Sequence, residues 1–211
     1  PRQRFDAQPA THTLQVTPKN PAARTLATTI DNSLNYSYTS VLDIGCGCGL
    51  PATRVLPARF DVTGVYFSEV QTRRAKRLVP AVAFVCGDIS EQSFPPCSFA
   101  AVVSFYAIIH IPLAEHPELL HKIATWLRPS GFFLATVGHN EWSGFDETYL
   151  GVPGGRMCWS HADEDTNLQW IRDADFHVHR TTFVPEGESG HTLVLAQKPP
   201  INNVMGRTAA V

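Results

Sequence analysis

Three glycines within five residues, Gly45, Gly47 and Gly49, follow directly on Asp43 and Ile44 and alternate with Cys46 and Cys48. Residues without a Cβ let backbone amides come within contact distance of a bound group, and Asp43 adds a carboxylate at the same point. The spacing discriminates between ligands. A dinucleotide fingerprint sets glycines at its first, third and sixth positions, whereas the sixth here is Leu50 and the third glycine falls one residue early. The loop therefore argues against a pyrophosphate. A second set of reactive side chains lies downstream. His110 sits in Tyr106-Ala107-Ile108-Ile109-His110-Ile111-Pro112, and an imidazole with an ordinary pKa of about 6.5 suits removal of a proton from a hydroxyl. The alternative is a histidine satisfied structurally among apolar neighbours. Tyr106 is a comparable candidate for hydrogen bonding or substrate positioning. His161, two residues before Asp163, can form an acid–base pair with it, although helix capping by Ser160 or Asp163 explains the same residues.

Other chemistries find less support. His110, His116 and His121 are not at the spacing of a helical zinc pair and the cysteines are scattered, so no metal is expected. A Gly-x-Ser-x-Gly hydrolase elbow is missing.

These residues need a frame. Val41-Leu42-Asp43-Ile44 reads as a short strand running into the glycines, with a helix from about Pro51 to Ala58. The unit recurs as Val62–Val65 before a helix over about 68–78, and Ala83–Cys86 follows. Ala101–Phe105 precedes a helix over about 113–127, and Phe132–Val137 makes a fifth strand. Strands alternating with helices imply an α/β fold with a parallel sheet covered on both faces. In such sheets the first strand-to-helix turn is the usual ligand site. A helix is expected from about 163 to 174, then two β-like runs, His177–Val184 and Thr192–Gln197, joined through Pro185–Gly190 as an antiparallel hairpin. The stretch His139–Phe145 through Trp159–His161 concentrates aromatics and glycines, with Gly151–Gly155 as a loop, and suits an acceptor pocket or lid; the plainer alternative is cover for the sheet edge. Residues 1–20 read as an N-terminal arm, 21–198 as the domain with a first helix from Pro21 to about Leu34, and 199–211 as a tail.

Composition sets outer bounds. At 211 residues, 44% hydrophobic and with a formal net charge of −2, the chain matches one α/β domain and carries no broad basic face for nucleic acid. The run Arg73-Arg74-Ala75-Lys76-Arg77 reads as a solvated helix face. Five cysteines, two of them flanking Gly47, are no disulfide framework. The absence of a membrane-length apolar run and of a signal-peptide core makes a cytoplasmic location the expectation. A small-molecule partner is expected, with no nucleic acid and no membrane; a homodimer is left open.

Val41–Gly49 resembles motif I of class I S-adenosylmethionine-dependent methyltransferases, and the resemblance continues to about Lys198. Val62–Val65 with Ser68-Glu69-Val70-Gln71 is similar to the family's second strand and helix, and Phe84–Ile89 to its adenine-contacting motif. Ser98-Phe99 through Tyr106 is similar to its fourth strand, Trp126–Gly131 to the turn before the fifth, and Trp159-Ser160-His161 to a later segment of small-molecule members. The resemblance implies a doubly wound, mostly parallel seven-stranded sheet with helices on both faces and an antiparallel C-terminal hairpin, the Rossmann-like methyltransferase fold. It further implies S-adenosylmethionine as cofactor: Gly45, Cys46, Gly47 and Gly49 with Asp43 around the methionine moiety, Asp88 and Ile89 at the adenine, Ser104 at the amino-acid end, and Tyr66 with Phe67 at the ribose.

Three positions depart from that pattern. Tyr66 stands where the family places an acidic residue for the ribose hydroxyls, Ala100 where Asp commonly follows Phe, and Ser130 where Gly is usual. The last two are expected to be packing or turn adjustments. The resulting expectation is methyl transfer to an oxygen or nitrogen of a small, partly apolar metabolite, with His110, Tyr106 and His161 as catalytic candidates. The alternatives are a methyltransferase-like enzyme of specialised metabolism performing methyl-independent cyclisation or pericyclic chemistry, and a non-catalytic partner subunit.

Overall fold

Hydrophobic alternation along the strands divides one sheet into two buried faces. In the computed structural model, which describes residues 39–50, 52–147 and 156–201, β1 (Ser40–Ile44) turns through the glycine loop into α1 (Ala52–Val55) and a 3-10 turn (Leu56–Ala58). Next come β2 (Asp61–Tyr66), α2 (Glu69–Leu78), β3 (Ala83–Cys86) and β4 (Phe99–Ser104). Two 3-10 turns, Ile108–His110 and Leu113–Glu115, lead into α3 (His116–Trp126) and β5 (Leu127–Gly138). The chain finishes with β6 (Trp142–Asp146), β7 (Met157–His161), α4 (Glu164–Asp173), β8 (His177–Glu186) and β9 (Ser189–Gln197).

The main sheet has the order β3-β2-β1-β4-β5-β9-β8. Its first five strands run parallel, and β9 and β8 close it antiparallel. Successive residues point to opposite faces. Leu42, Ile44, Val102, Phe133 and Ala135 therefore join Leu119, Ile123 and Ile171 in one core, while Val41, Val62, Ala101, Val103 and Leu134 join Ala75 and Val79 in the other. This is the expected seven-stranded architecture. Strand order reverses between β1 and β4, and the crevice at their carboxyl ends is where ligands bind in such sheets.

Local chemistry sets the element ends. Ser68, in an extended conformation, caps α2 by accepting from the Gln71 amide at 3.3 Å, and Asp163 caps α4 by accepting from Thr166 at 2.9 Å. Pro117 occupies the first turn of α3, where its missing N–H is harmless.

Some boundaries differ from those read in the sequence. The helix expected over 51–58 is one short α-turn followed by 3-10 structure. The helix expected over 113–127 begins as a separate 3-10 turn and ends at Trp126, because the residues from Leu127 join β5. The 139–161 stretch, read as an acceptor pocket or lid or else as cover for the sheet edge, contains the antiparallel β6–β7 pair, with Trp142 opposite His161 and Asp146 opposite Met157. Ser130 has φ +62, the left-handed conformation that favours glycine, and its amide donates to the Lys198 carbonyl at 3.0 Å. Ala100 is buried in β4. The expected arm, the helix from Pro21 and the loop Gly151–Gly155 lie outside the described residues, as does the tail beyond Ile201.

Candidate functional site

The loop after β1 is held from below and from the side. Asp43 is 2% exposed, and its Oδ2 accepts from the Thr53 hydroxyl at 2.6 Å. Burial disfavours its charge and raises its pKa from 3.8 to about 6, while the Thr53 bond works in the opposite direction. The amides of Gly45 and Cys46 donate to the Val65 carbonyl of β2 at 2.9 and 3.2 Å, and Gly49 closes a turn onto the Cys46 carbonyl at 2.9 Å.

All three loop glycines have positive φ: +77° at Gly45, +56° at Gly47 and +82° at Gly49. They serve different ends. A Cβ on Gly45 would collide with Ala107, and one on Gly49 would meet Val79 at 3.0 Å, so both are needed for close packing. A Cβ on Gly47 would meet nothing within 4 Å, so Gly47 faces open space. Cys46 is buried against Gly64, and burial pushes its thiol well above the usual range, so it stays protonated.

Beside the loop, β4 ends in Ser104, which is 0% exposed and whose hydroxyl has no hydrogen-bond partner. A buried polar atom left unsatisfied is costly and is a mark of a ligand-binding position. Two residues on, Tyr106 adopts φ +53, uncommon for a non-glycine residue, and Ala107 lands against Gly45. At the ends of β2 and β3 stand half-buried Tyr66 and 37% exposed Phe67, with rings 4.9 Å apart, and buried Ile89. Asp88 lies next to them, and one oxygen of its carboxylate, Oδ1, caps the turn by accepting from the Ser90 amide at 2.9 Å.

The catalytic candidates gather at the same edge. His110 Nδ1 lies 2.6 Å from the Cys158 carbonyl of β7. A carbonyl only accepts, so Nδ1 carries the proton and Nε2 the lone pair. Desolvation draws the His110 pKa down to about 4 despite that bond. The His110 ring lies 5.6 Å from that of Trp159. His161 is buried, with its Nδ1 unpartnered and its ring 5.9 Å from His191. Asp163 takes the capping role instead of pairing with His161.

Tyr106 and His191 rings meet edge-on at 5.3 Å. Burial and a hydrogen bond to Glu186 both raise the Tyr106 phenol, which stays protonated. His191 Nδ1 also faces Glu186, at 3.3 Å from Oε2, an ion-pair distance without hydrogen-bond alignment. Burial lowers the His191 pKa while Glu186 opposes that shift.

His191 and Glu186 were not singled out in the sequence. The register of β5 with β9 sets His191 opposite Gly138, at the carboxyl end of the parallel strands, and Glu186 comes with it across the β8–β9 turn. Their distance in sequence from Tyr106 hides the cluster. Thr53 was also missed; its place in the first turn after the loop was the one available signal. Among the described residues, no group of three or more His, Cys, Asp or Glu side chains is placed to hold a metal ion. No helix among them is long and apolar enough to cross a membrane.

Comparison with known proteins agrees with this geometry. Residues 41–131 match the family model of a methyltransferase domain. The chain is 35% identical over 171 residues to sterol 24-C-methyltransferase ERG6A of Gibberella zeae, a match covering 75% of this chain and 42% of that one. It is 38% identical over 98 residues to 27-O-demethylrifamycin SV methyltransferase of Amycolatopsis mediterranei, covering 43% and 35% respectively. The chain thus spans less than half the length of the curated relatives it matches. Among solved structures, the 1,6-didemethyltoxoflavin-N1-methyltransferase of Burkholderia thailandensis superposes with a TM-score of 0.66 at 21% identity, covering 85% of this chain and 77% of that one. Residues 41–131 thus match a methyltransferase domain, and the order of the sheet is that of the Rossmann-like methyltransferase fold shared with S-adenosylmethionine-dependent methyltransferases.

Proposed function

We propose that this protein transfers a methyl group from S-adenosylmethionine to an oxygen or nitrogen of a small, partly apolar metabolite. The observation that carries this reading is the loop at the switch point, where three glycines are left-handed, Gly45 packs against Ala107, Gly49 against Val79, and Gly47 borders open space.

The residues present fit the donor. The family pattern assigns Gly45, Cys46, Gly47 and Gly49 to its methionine moiety, with Asp43 as the buried support of the loop. Ser104, whose hydroxyl lacks a partner, is assigned to the amino-acid end. Asp88 and Ile89 flank the adenine, and Tyr66 and Phe67 stand at the ribose. When bound, the sulfonium supplies an electrophilic methyl group and departs as a neutral thioether.

The chain's own task is to orient the acceptor and take its proton. Orientation alone supplies much of the acceleration in such a displacement. His110, neutral because of its low pKa and with the lone pair on Nε2, suits accepting a hydrogen bond from the acceptor better than taking its proton outright. His191 is a second candidate for taking the proton, since the Glu186 carboxylate at 3.3 Å opposes the loss of basicity that burial imposes on it. Tyr106, whose phenol donates to Glu186, accepts or positions, and His161 fills the space beneath Gly138. Trp159 and the exposed Trp142 and Phe145 offer apolar area to the acceptor. The names of the three similar proteins, which specify a sterol carbon, a demethylrifamycin oxygen and a didemethyltoxoflavin nitrogen, support a small-molecule acceptor.

The test is turnover. The full chain is incubated with S-adenosylmethionine and a panel of phenols and heteroaromatic amines, and S-adenosylhomocysteine is quantified by mass spectrometry. Product that depends on one of these acceptors supports the reading. A folded protein that yields no product and binds neither nucleoside overturns it.

A further inference from the structure

The donor's ribose has no carboxylate waiting for it. In doubly wound nucleotide sites, an acidic residue about 20 residues past the glycine loop, at the end of the second strand, accepts from ribose hydroxyls. Here that end is Tyr66. The acidic residues nearby are engaged elsewhere. Glu69, in the first turn of α2, pairs with Arg73 at 3.0 Å on the open surface, both side chains being more than half exposed. Asp43 is buried beneath the loop and bound to Thr53, and Asp88 turns one oxygen onto the Ser90 amide.

What this edge offers instead is ring surface. Tyr66 and Phe67 are consecutive, their rings are 4.9 Å apart and tilted by 32°, and Phe67 keeps more than a third of its surface open. The backbone around them is firmly held. The Tyr66 carbonyl accepts from the Gly87 amide at 3.0 Å and from the Thr72 hydroxyl at 3.3 Å, which ties the end of β2 to both β3 and α2. Ile89 is buried in the core on the other face of the sheet, so the open apolar surface at this edge is that of the two rings. A pre-set aromatic surface attracts a purine and the carbon face of a sugar without needing the sugar's hydroxyls.

We propose that this protein grips the nucleoside of its methyl donor through the Tyr66 and Phe67 rings and holds the ribose hydroxyls without a carboxylate, so that adenosyl ligands altered at the ribose bind nearly as well as the parent. The proposal rests on the methyl-donor reading and adds to it a ligand class defined by tolerance at the sugar.

The experiment is calorimetric titration of the full chain with S-adenosylhomocysteine and with its 2′,3′-dideoxy counterpart. A carboxylate reading both hydroxyls makes their removal cost on the order of ten- to a hundredfold in affinity. The wild-type protein is expected to lose less than about tenfold. Tyr66→Asp is expected to open a gap of at least tenfold between the two ligands, and Phe67→Ala to weaken both by about the same factor. A wild-type loss above tenfold overturns the proposal and leaves the donor reading standing. Failure of a folded wild-type protein to bind either ligand overturns both. Because the deciding comparison is between two ligands on the unaltered protein, it does not depend on whether the variants fold.

Discussion

At the scale of single residues, the site is governed by how little room there is around the glycines. Gly45 combines φ +77 with a Cβ direction blocked by Ala107. Gly45→Ala adds backbone strain to a clash between two chain segments, and should lower stability by about 2 kcal/mol or more in urea denaturation. An unchanged midpoint would mean that the 104–107 segment is not packed on the loop. The glycines and Asp43 were legible in the sequence because close backbone approach leaves a compositional trace. The Glu186–His191 pair left none. Nothing in the spacing of two residues on a C-terminal hairpin says that they will face Tyr106, some 80 residues earlier.

At the scale of elements, the ligand edge depends on a junction between β5 and α4. The Asn167 side-chain amide reaches three carbonyls, of Gly138 at 3.2 Å, Ala162 at 2.9 Å and Asp163 at 2.8 Å. Asn167→Ala leaves buried acceptors without a donor and should cost about 2 kcal/mol, read from chemical denaturation. A loss below about 0.5 kcal/mol would show that these carbonyls find other partners. Element order followed directly from the alternating apolar runs, since a buried parallel strand needs a nearly continuous apolar stretch such as Ala101–Val103. Element ends were less legible. The Leu127–Gly131 turn belongs to β5 because Ser130 accepts a left-handed conformation and is tied to Lys198 from the far end of the chain, a long-range contact without a local signature. The β6–β7 pair was hidden for a similar reason. Its strands carry exposed aromatics, Trp142 and Phe145, and lack the one-sided alternation of a core strand.

At the scale of the whole molecule, buried titrating groups set the pH dependence of stability, and they pull in opposite directions. Asp43 has a folded pKa of about 6, above its ordinary 3.8. Its contribution is present below about pH 4 and is lost as pH rises towards 6. Burial lowers His110, from 6.5 to about 4, and also lowers His116 and His191. Their contributions are present above about pH 6.5 and are lost as pH falls towards 4. Three histidines outweigh one carboxyl, so wild-type stability should rise with pH between about 4 and 6.5. Asp43→Asn removes the opposing contribution and should make that rise steeper in thermal melts across this range. Parallel wild-type and variant curves would contradict the buried, charge-disfavouring setting assigned to Asp43.

The central claim, that the loop after β1 holds an adenosyl sulfonium or its thioether product, is tested most directly by calorimetric titration of S-adenosylhomocysteine into wild-type protein and Gly47→Leu, with circular dichroism to verify folding. Since a side chain at Gly47 projects into open space, the account predicts binding by the wild type, on the order of micromolar, and none detectable for the folded variant. No binding by folded wild type, or equal binding by both proteins, would contradict it. The first of these results would turn attention to methyl-independent chemistry at the histidine and tyrosine edge.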